Sequence, residues 1–408
     1  MKAKKKLVII GAGFAGFWSA ISAIRQIRDI GKEDELEITV INRDKYLTVR
    51  PRLYETSLKG LRVDLEKYFN PLAIELVIGK VEVINPLEKE VSVFTDNGLR
   101  VKNYDYLILA SGSTLKALNI PGIEQSFNVD TYINAQKLEQ HLITLAESGF
   151  SKEGATTFLV VGSGLTGLEM VTTIEEKVQL LNSEFSDDQK KIRVILVEKN
   201  KEIADYYSSE AQSYILETLE KKNVEIVSDT YITSIENNTV FFNNGTTIKS
   251  GTVIFCNGMV ASSLTNFFEG KRDEQGRLHV DNNLKLTEYS NVIVSGDVAN
   301  LSINSDGKSS IMACQFSMDL GKWAGHNAVN DLFSNPLKPY INNNYGTCLD
   351  LGQEDGLLTS GFDRKLLMKG NQAKQVKTMI TTQGIYPPET LEDTLALSFP
   401  KILAADIF

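Results

Sequence analysis

Apolar runs four or five residues long recur through the first three quarters of the chain. They are Leu7-Val8-Ile9-Ile10, Glu37 to Ile41, Val91 to Thr95, Tyr106 to Ala110, Phe158-Leu159-Val160-Val161, Val194 to Val197, Val224 to Val227, Val253 to Cys256 and Asn291-Val292-Ile293-Val294. Runs of this length predict strands, and continuous ones such as 7–10 and 158–161 predict strands buried on both faces in parallel sheets. After those two runs the spacing turns helical, with Trp18, Ile21 and Ile24 in one case and Met170 and Ile174 in the other. Further helices are predicted over Asn134 to Glu147 and Gln315 to Leu332. Asp96-Asn97-Gly98 supplies turn chemistry, so the strand signals ahead of residue 110 exceed what one βαβ unit uses. From Tyr340 onward, strand-length runs rich in Tyr and Gly precede a C-terminal helical segment.

A glycine pattern follows each of the two buried runs: Gly11-Ala12-Gly13-Phe14-Ala15-Gly16 and Gly162-Ser163-Gly164-Leu165-Thr166-Gly167. In such a turn the first glycine permits the tight exit from the strand. The second lets backbone approach a pyrophosphate, and the third lets the helix pack on the strand. The anion then rests on the helix N-terminus, where free N–H groups and the helix dipole favour negative charge. One such turn is weak evidence, but two in strand-turn-helix context predict a chain that holds two dinucleotides.

Composition narrows the field further. A net charge of -9 over 408 residues excludes a broad basic surface for nucleic acid. The three cysteines, Cys256, Cys314 and Cys348, are far apart and show neither zinc nor disulfide spacing, which fits a reducing cytoplasm. His141, His279 and His326 show no metal spacing and read as structural or surface residues, so no metal is expected. No apolar stretch reaches the roughly 20 residues that span a bilayer. The segment 394–408 carries Leu395, Leu397, Phe399, Ile402, Leu403, Ile407 and Phe408, and a tail packed on its own domain is preferred over a contact with a membrane or partner.

The ends of the second strands should meet the two riboses. In the first unit that position is Asn42, followed by Arg43; an acid is usual there, and an asparagine still bonds a hydroxyl. In the second unit it is Glu198, which favours NADH over NADPH by repelling a 2′-phosphate. Gly296-Asp297, at the end of a buried strand, offers a carboxylate to ribityl hydroxyls, and the helix starting near Gln315 aims its positive end at a flavin.

These residues resemble the two-dinucleotide-binding-domain flavoproteins with a glutathione-reductase-like fold, and within them the type II NADH dehydrogenase and apoptosis-inducing-factor-like branch. The resemblance rests on the two glycine turns, Ile108-Leu109-Ala110-Ser111-Gly112-Ser113, Ile120-Pro121-Gly122, Gly167-Leu168-Glu169, Gly258 and Gly296-Asp297. It implies FAD and NADH as cofactors, with Arg50 and Pro51 near the isoalloxazine, the backbone of Val81 at adenine and Glu169 beside the nicotinamide. The branch's quinone signature appears as Cys314-Gln315 with Asp319 in place of its second glutamine.

The implied fold is α/β: two Rossmann-like, FAD- and NAD(P)-binding domains plus a smaller C-terminal α+β region. The expected division is 1–125 and 283–339 for FAD, 126–282 for NAD(P)H and 340–408 for the C-terminal region. No cysteine precedes Cys256, so the disulfide-reductase branches are excluded. The expected activity is NADH oxidation through FAD to a quinone or quinone-like acceptor. Reduction of a small redox protein, or slow NADH-responsive redox sensing, are the alternatives. A cytoplasmic protein is expected; a peripheral membrane contact through the C-terminal region and a homodimer stay open.

Overall fold

Each glycine turn leaves the middle of its own parallel sheet. A computed structural model describes residues 3–185, 190–303, 307–342 and 344–402. The first sheet has five strands in the order Val292–Val294, Tyr106–Leu109, Lys5–Ile10, Leu36–Asn42 and Glu75–Ile78, all parallel. The second has four, Glu225–Val227, Arg193–Val197, Thr157–Val161 and Thr252–Phe255, also parallel. Leu7, Ile9, Ile108, Leu159 and Leu196 are fully buried, as continuous apolar strands covered on both faces require.

Helix α1 (Phe14–Asp29) follows the first turn, and α2 (Tyr132–Glu147) leads into the second unit, capped by the Thr131 hydroxyl accepting from Asn134 N–H. Helices α3 (Leu165–Ser183) and α4 (Ser209–Lys221) belong to the second unit. Helix α5 (Cys314–Leu332) returns to the first and packs along α1. That packing is backbone-close: a Cβ on Gly321 would lie 2.4 Å from the Ala15 carbonyl oxygen, and one on Gly325 2.1 Å from that of Ser19. Ala261, Phe268 and Leu278, ahead of the α5 return, share a core with Val8, Ile10 and Leu107 of the first sheet.

The surplus strand Val91 to Thr95 belongs to an antiparallel meander, Lys80–Asn85, Glu90–Thr95 and Gly98–Asn103. Its outer face leaves Val83, Phe94, Leu99 and Val101 exposed. The C-terminal region is an antiparallel sheet of Gly346–Asp350, Gly356–Ser360 and Lys365–Lys369, followed by α6 (Asn371–Met379), a wide turn at Ile380–Gly384 and α7 (Leu391–Leu397). Leu349, Leu351 and Leu357 join the core of the second unit, whereas Tyr345 and Ile385 join that of the first. Leu395, Leu397 and Ile402 pack on the first core, and Phe399 lies against Arg25 and Lys338, so this tail folds onto its own chain. Leu403, Ile407 and Phe408 lie outside the described residues. The architecture is the α/β one expected.

Candidate active site

The three glycines of each turn meet three different surroundings. Gly11 and Gly162 have φ of +97° and +102°, and a Cβ there would lie 2.3 Å from the Ala110 carbonyl oxygen and 2.6 Å from that of Cys256. On Gly16 and Gly167 it would lie 1.8 Å from the carbonyl oxygen of Gly11 and of Gly162. On Gly13 and Gly164 it would meet nothing within 4 Å. The outer glycines are therefore fixed by protein packing, and the middle ones border open space. These middle glycines are also the N-caps of α1 and α3, with no side-chain cap, so the first-turn N–H groups are left for another acceptor.

That open space is one cavity of about 1180 Å³ reaching from one turn to the other. Gly13, Phe14, Ala15, Ala110, Gly112, Arg50, Pro51 and Asp297 line its first half; Gly162, Gly164, Leu165, Thr166, Glu169, Glu198 and Gly258 line the second. Gln315 lines it from the start of α5, and Tyr345, Thr347 and Cys348 from the C-terminal sheet. Gly11, Gly16 and Gly167 lie behind this wall in their packed turns. Ser111 and Gly296 flank wall residues; a Cβ on Gly296 would approach the Ala15 Cβ to 2.7 Å. Asn42, Arg43 and Val81 are not on the cavity wall: Arg43 is exposed, and Val81 is buried in the meander.

The ends of the two second strands do equivalent work. Ala12 N–H donates to Asn42 Oδ1 at 3.0 Å, and Ser163 N–H donates to Glu198 Oε2 at 2.8 Å. Each side chain thus braces its glycine turn. Glu198 also accepts from the Ser163 hydroxyl at 2.9 Å and, through Oε1, from Asn200 N–H at 2.9 Å.

Asp297 accepts from the hydroxyls of Ser113 at 2.6 Å and Ser317 at 3.1 Å. Arg50 pairs with Asp130 at 2.5 Å and donates to the Ser113 carbonyl at 3.2 Å. The side-chain atoms Gln315 Nε2, Ser111 Oγ and Ser295 Oγ are buried without a protein partner. Of these three, Gln315 lines the cavity, and a buried polar atom without a partner there fits a polar ligand that completes it.

Glu169 sits at the junction of all three regions. It forms a 2.6 Å ion pair with Lys377 of α6, both side chains being under a tenth exposed, and accepts from Asp350 N–H at 3.2 Å. Burial pushes the Glu169 carboxyl above its usual range, with the Lys377 ammonium pulling against that shift. Burial lowers the Lys377 pKa, but the carboxylate of Glu169 more than offsets it, so the group stays an ammonium. Beside this pair, Lys374 Nζ lies 2.7 Å from Asp350, whose carboxylate also accepts from the Tyr54 hydroxyl at 2.9 Å.

Sequence reasoning missed Lys377, Asp130 and Tyr206 at this cavity, since neither spacing nor motif marks them. It also treated the cysteines as scattered, yet all three line the cavity as free thiols. Burial pushes Cys256 up to about 12 and Cys348 to about 11. Asp319, the substituted second position of the glutamine signature, is fully buried in the α1–α5 contact near Lys322 rather than on the cavity wall. Among the described residues no cluster is arranged to hold a metal, and no helix is long and apolar enough to cross a membrane.

Comparison with known proteins agrees with this geometry. Residues 5–321 match the family model of pyridine nucleotide-disulphide oxidoreductases. An NADH dehydrogenase-like protein of Mycobacterium tuberculosis is 33% identical over 401 residues, covering 97% of this chain and 98% of that one. A type II NADH:quinone oxidoreductase of Staphylococcus epidermidis is 26% identical, covering 94% and 96%. Among solved structures, Plasmodium falciparum NDH2 with NADH superposes with a TM-score of 0.77 at 14% identity, covering 99% of both chains. An NAD-dependent persulfide reductase from A. fulgidus superposes at 0.71 and 20%, covering 87% of this chain and 64% of that one. With two open glycine turns on one cavity and relatives along its whole length, the chain belongs to the pyridine nucleotide-disulphide oxidoreductase family, as a FAD/NAD(P) oxidoreductase of the type II NADH dehydrogenase-like branch.

Proposed function

We propose that this protein oxidises NADH through FAD and passes the electrons to a quinone. The observation that carries the reading is the single cavity joining both open glycine turns to a wall of Gln315, Glu169 and Lys377. FAD takes the turn at Gly13, with residues 1–125 and 283–339 as its domain; NADH takes the turn at Gly164, within 126–282; residues 340–408 complete the acceptor side. A flavin bound there supplies a centre that accepts hydride and returns electrons. Gly13 and the first turn of α1 bind the pyrophosphate, and Asp297, whose two oxygens each accept one bond, from Ser113 and from Ser317, keeps its remaining acceptor sites for ribityl hydroxyls.

Glu198 sets the choice of nucleotide. A carboxylate has about four acceptor sites. Three donors from Ser163 and Asn200 occupy three of them, and the fourth is left for a ribose hydroxyl. A 2′-phosphate there would face the carboxylate, which favours NADH. At the far wall, Gln315 Nε2 donates to a carbonyl of the acceptor. Lys377 places an ammonium proton beside the same space, and Glu169 holds that ammonium in position. Quinone reduction consumes protons, and this buried pair is able to hold and move one. Burial holds the three thiols toward their protonated form, and in this reading no redox disulfide takes part.

An anaerobic titration tests the reading. Bleaching of the flavin band by NADH in preference to NADPH, followed by recovery with a soluble short-chain quinone, is the expected result. Absence of a flavin band would remove the FAD assignment. Bleaching without recovery would remove the quinone and favour a protein acceptor or a sensor.

A further inference from the structure

The turn joining the strands Gly356–Ser360 and Lys365–Lys369 carries Arg364, a non-glycine residue with φ of +45°. Backbone in that region persists where the surroundings over-determine it. The Arg364 guanidinium carbon lies 4.6 Å from the ring of Tyr206, 5.4 Å from Tyr207 and 5.9 Å from Tyr345. Its Nη1 donates to the Tyr206 carbonyl and its Nη2 to the Tyr345 hydroxyl, each at 3.3 Å. The Arg364 carbonyl accepts from Ser208 N–H at 3.3 Å.

Tyr206 in turn reaches the second glycine turn, its hydroxyl donating to the Ser163 carbonyl at 2.7 Å. Ser163 is the residue between Gly162 and Gly164, and Tyr206 and Tyr345 both line the cavity. Tyr345 has independent support, stacked between Phe316 of α5 and Phe362. One arginine from the C-terminal hairpin therefore ties a nucleotide-side tyrosine to an acceptor-side one.

We propose that Arg364 is a positioning residue for the nicotinamide nucleotide: it fixes Tyr206, and through the Tyr206–Ser163 bond the second glycine turn, against the acceptor wall. The inference rests on the reading that NADH occupies that turn. Removing Arg364 leaves Tyr345 held by its two phenylalanines, so the acceptor wall stands while Tyr206 loses its clamp. A planar, forked guanidinium suits this place, since it stacks on rings while donating in its plane, and an ammonium does not.

The test uses the flavin-loaded protein and its R364K, Y206F and doubly substituted variants. Anaerobic flavin bleaching is followed against NADH concentration, and reoxidation by a short-chain quinone is followed separately. R364K is expected to raise half-saturating NADH about five- to tenfold while reoxidation stays within about twofold. Y206F is expected to do the same, and the double variant no more than either alone. Half-saturation within twofold of wild type, additive effects in the double variant, or equal loss in both half-reactions overturns the proposal. If R364K does not fold, R364Q is measured in its place against the same limits, while Y206F tests the Tyr206–Ser163 bond alone. Wild-type protein that NADH does not bleach overturns the nucleotide-site reading itself; normal bleaching with indifferent variants overturns only the role of Arg364.

Discussion

The two middle glycines and the two third glycines separate function from folding at single residues. An alanine at Gly164 meets no protein atom within 4 Å and sits at an N-cap with φ of −66°, so it should cost no more than about 1 kcal/mol, the difference between glycine and alanine as caps. If NADH takes this turn as proposed, the added methyl fills its space, and half-saturating NADH should rise about tenfold or more in a bleaching titration. An alanine at Gly167 collides with the Gly162 carbonyl and should cost at least about 1–3 kcal/mol in denaturant unfolding. Lys377 gives the opposite pattern. K377M leaves Glu169 buried without its counter-charge and should destabilise by about 3–5 kcal/mol. Adding E169Q should recover most of that stability without restoring quinone turnover, and retained turnover in the double variant would remove the pair from the chemistry.

At the scale of elements, the α1–α5 contact holds a neutral histidine. His326 is pushed down from its ordinary value near 6.5 to about 4, by burial first and then by Arg25 and Lys338. Its ring nitrogens lie 3.1 Å from Arg25 Nη2 and 3.0 Å from Asn330 Nδ2. The folded pKa is depressed, so this contribution is fully present above about pH 6.5 and is lost as pH falls through about 4. Thermal unfolding of H326Q should accordingly vary less with pH across that window than wild type.

The same elements explain what was legible in the sequence. The outer glycines, the strands of both parallel sheets and helix α5 rest on local spacing and backbone sterics, which the sequence displays. The Glu169–Lys377 pair joins α3 to α6 across the fold, and no local pattern records it. The strand at 91–95 was readable as a strand, but its antiparallel partners were not, because they carry exposed apolar residues such as Val83, Leu99 and Val101. Arg50 lies on the cavity wall, and only family likeness singled it out in the sequence; its partner Asp130 has no signature at all.

In the whole molecule, the C-terminal region is shared property. Leu349 and Leu357 pack into the second unit while Tyr345 and Ile385 pack into the first, so neither core is complete without it. Truncation before Tyr340 should lower the melting temperature of both units together in calorimetry, rather than leave one transition intact. The order of strands carries a further consequence for synthesis. All four strands of the second sheet lie between Thr157 and Phe255, so that unit has its full sheet early in translation. The first sheet needs Val292–Val294 beside Tyr106–Leu109 and then α5 along α1. A nascent chain thus carries an inner unit whose sheet is complete inside a host whose apolar strand edge is still bare, and the interval between those two events is when a chaperone has something to hold.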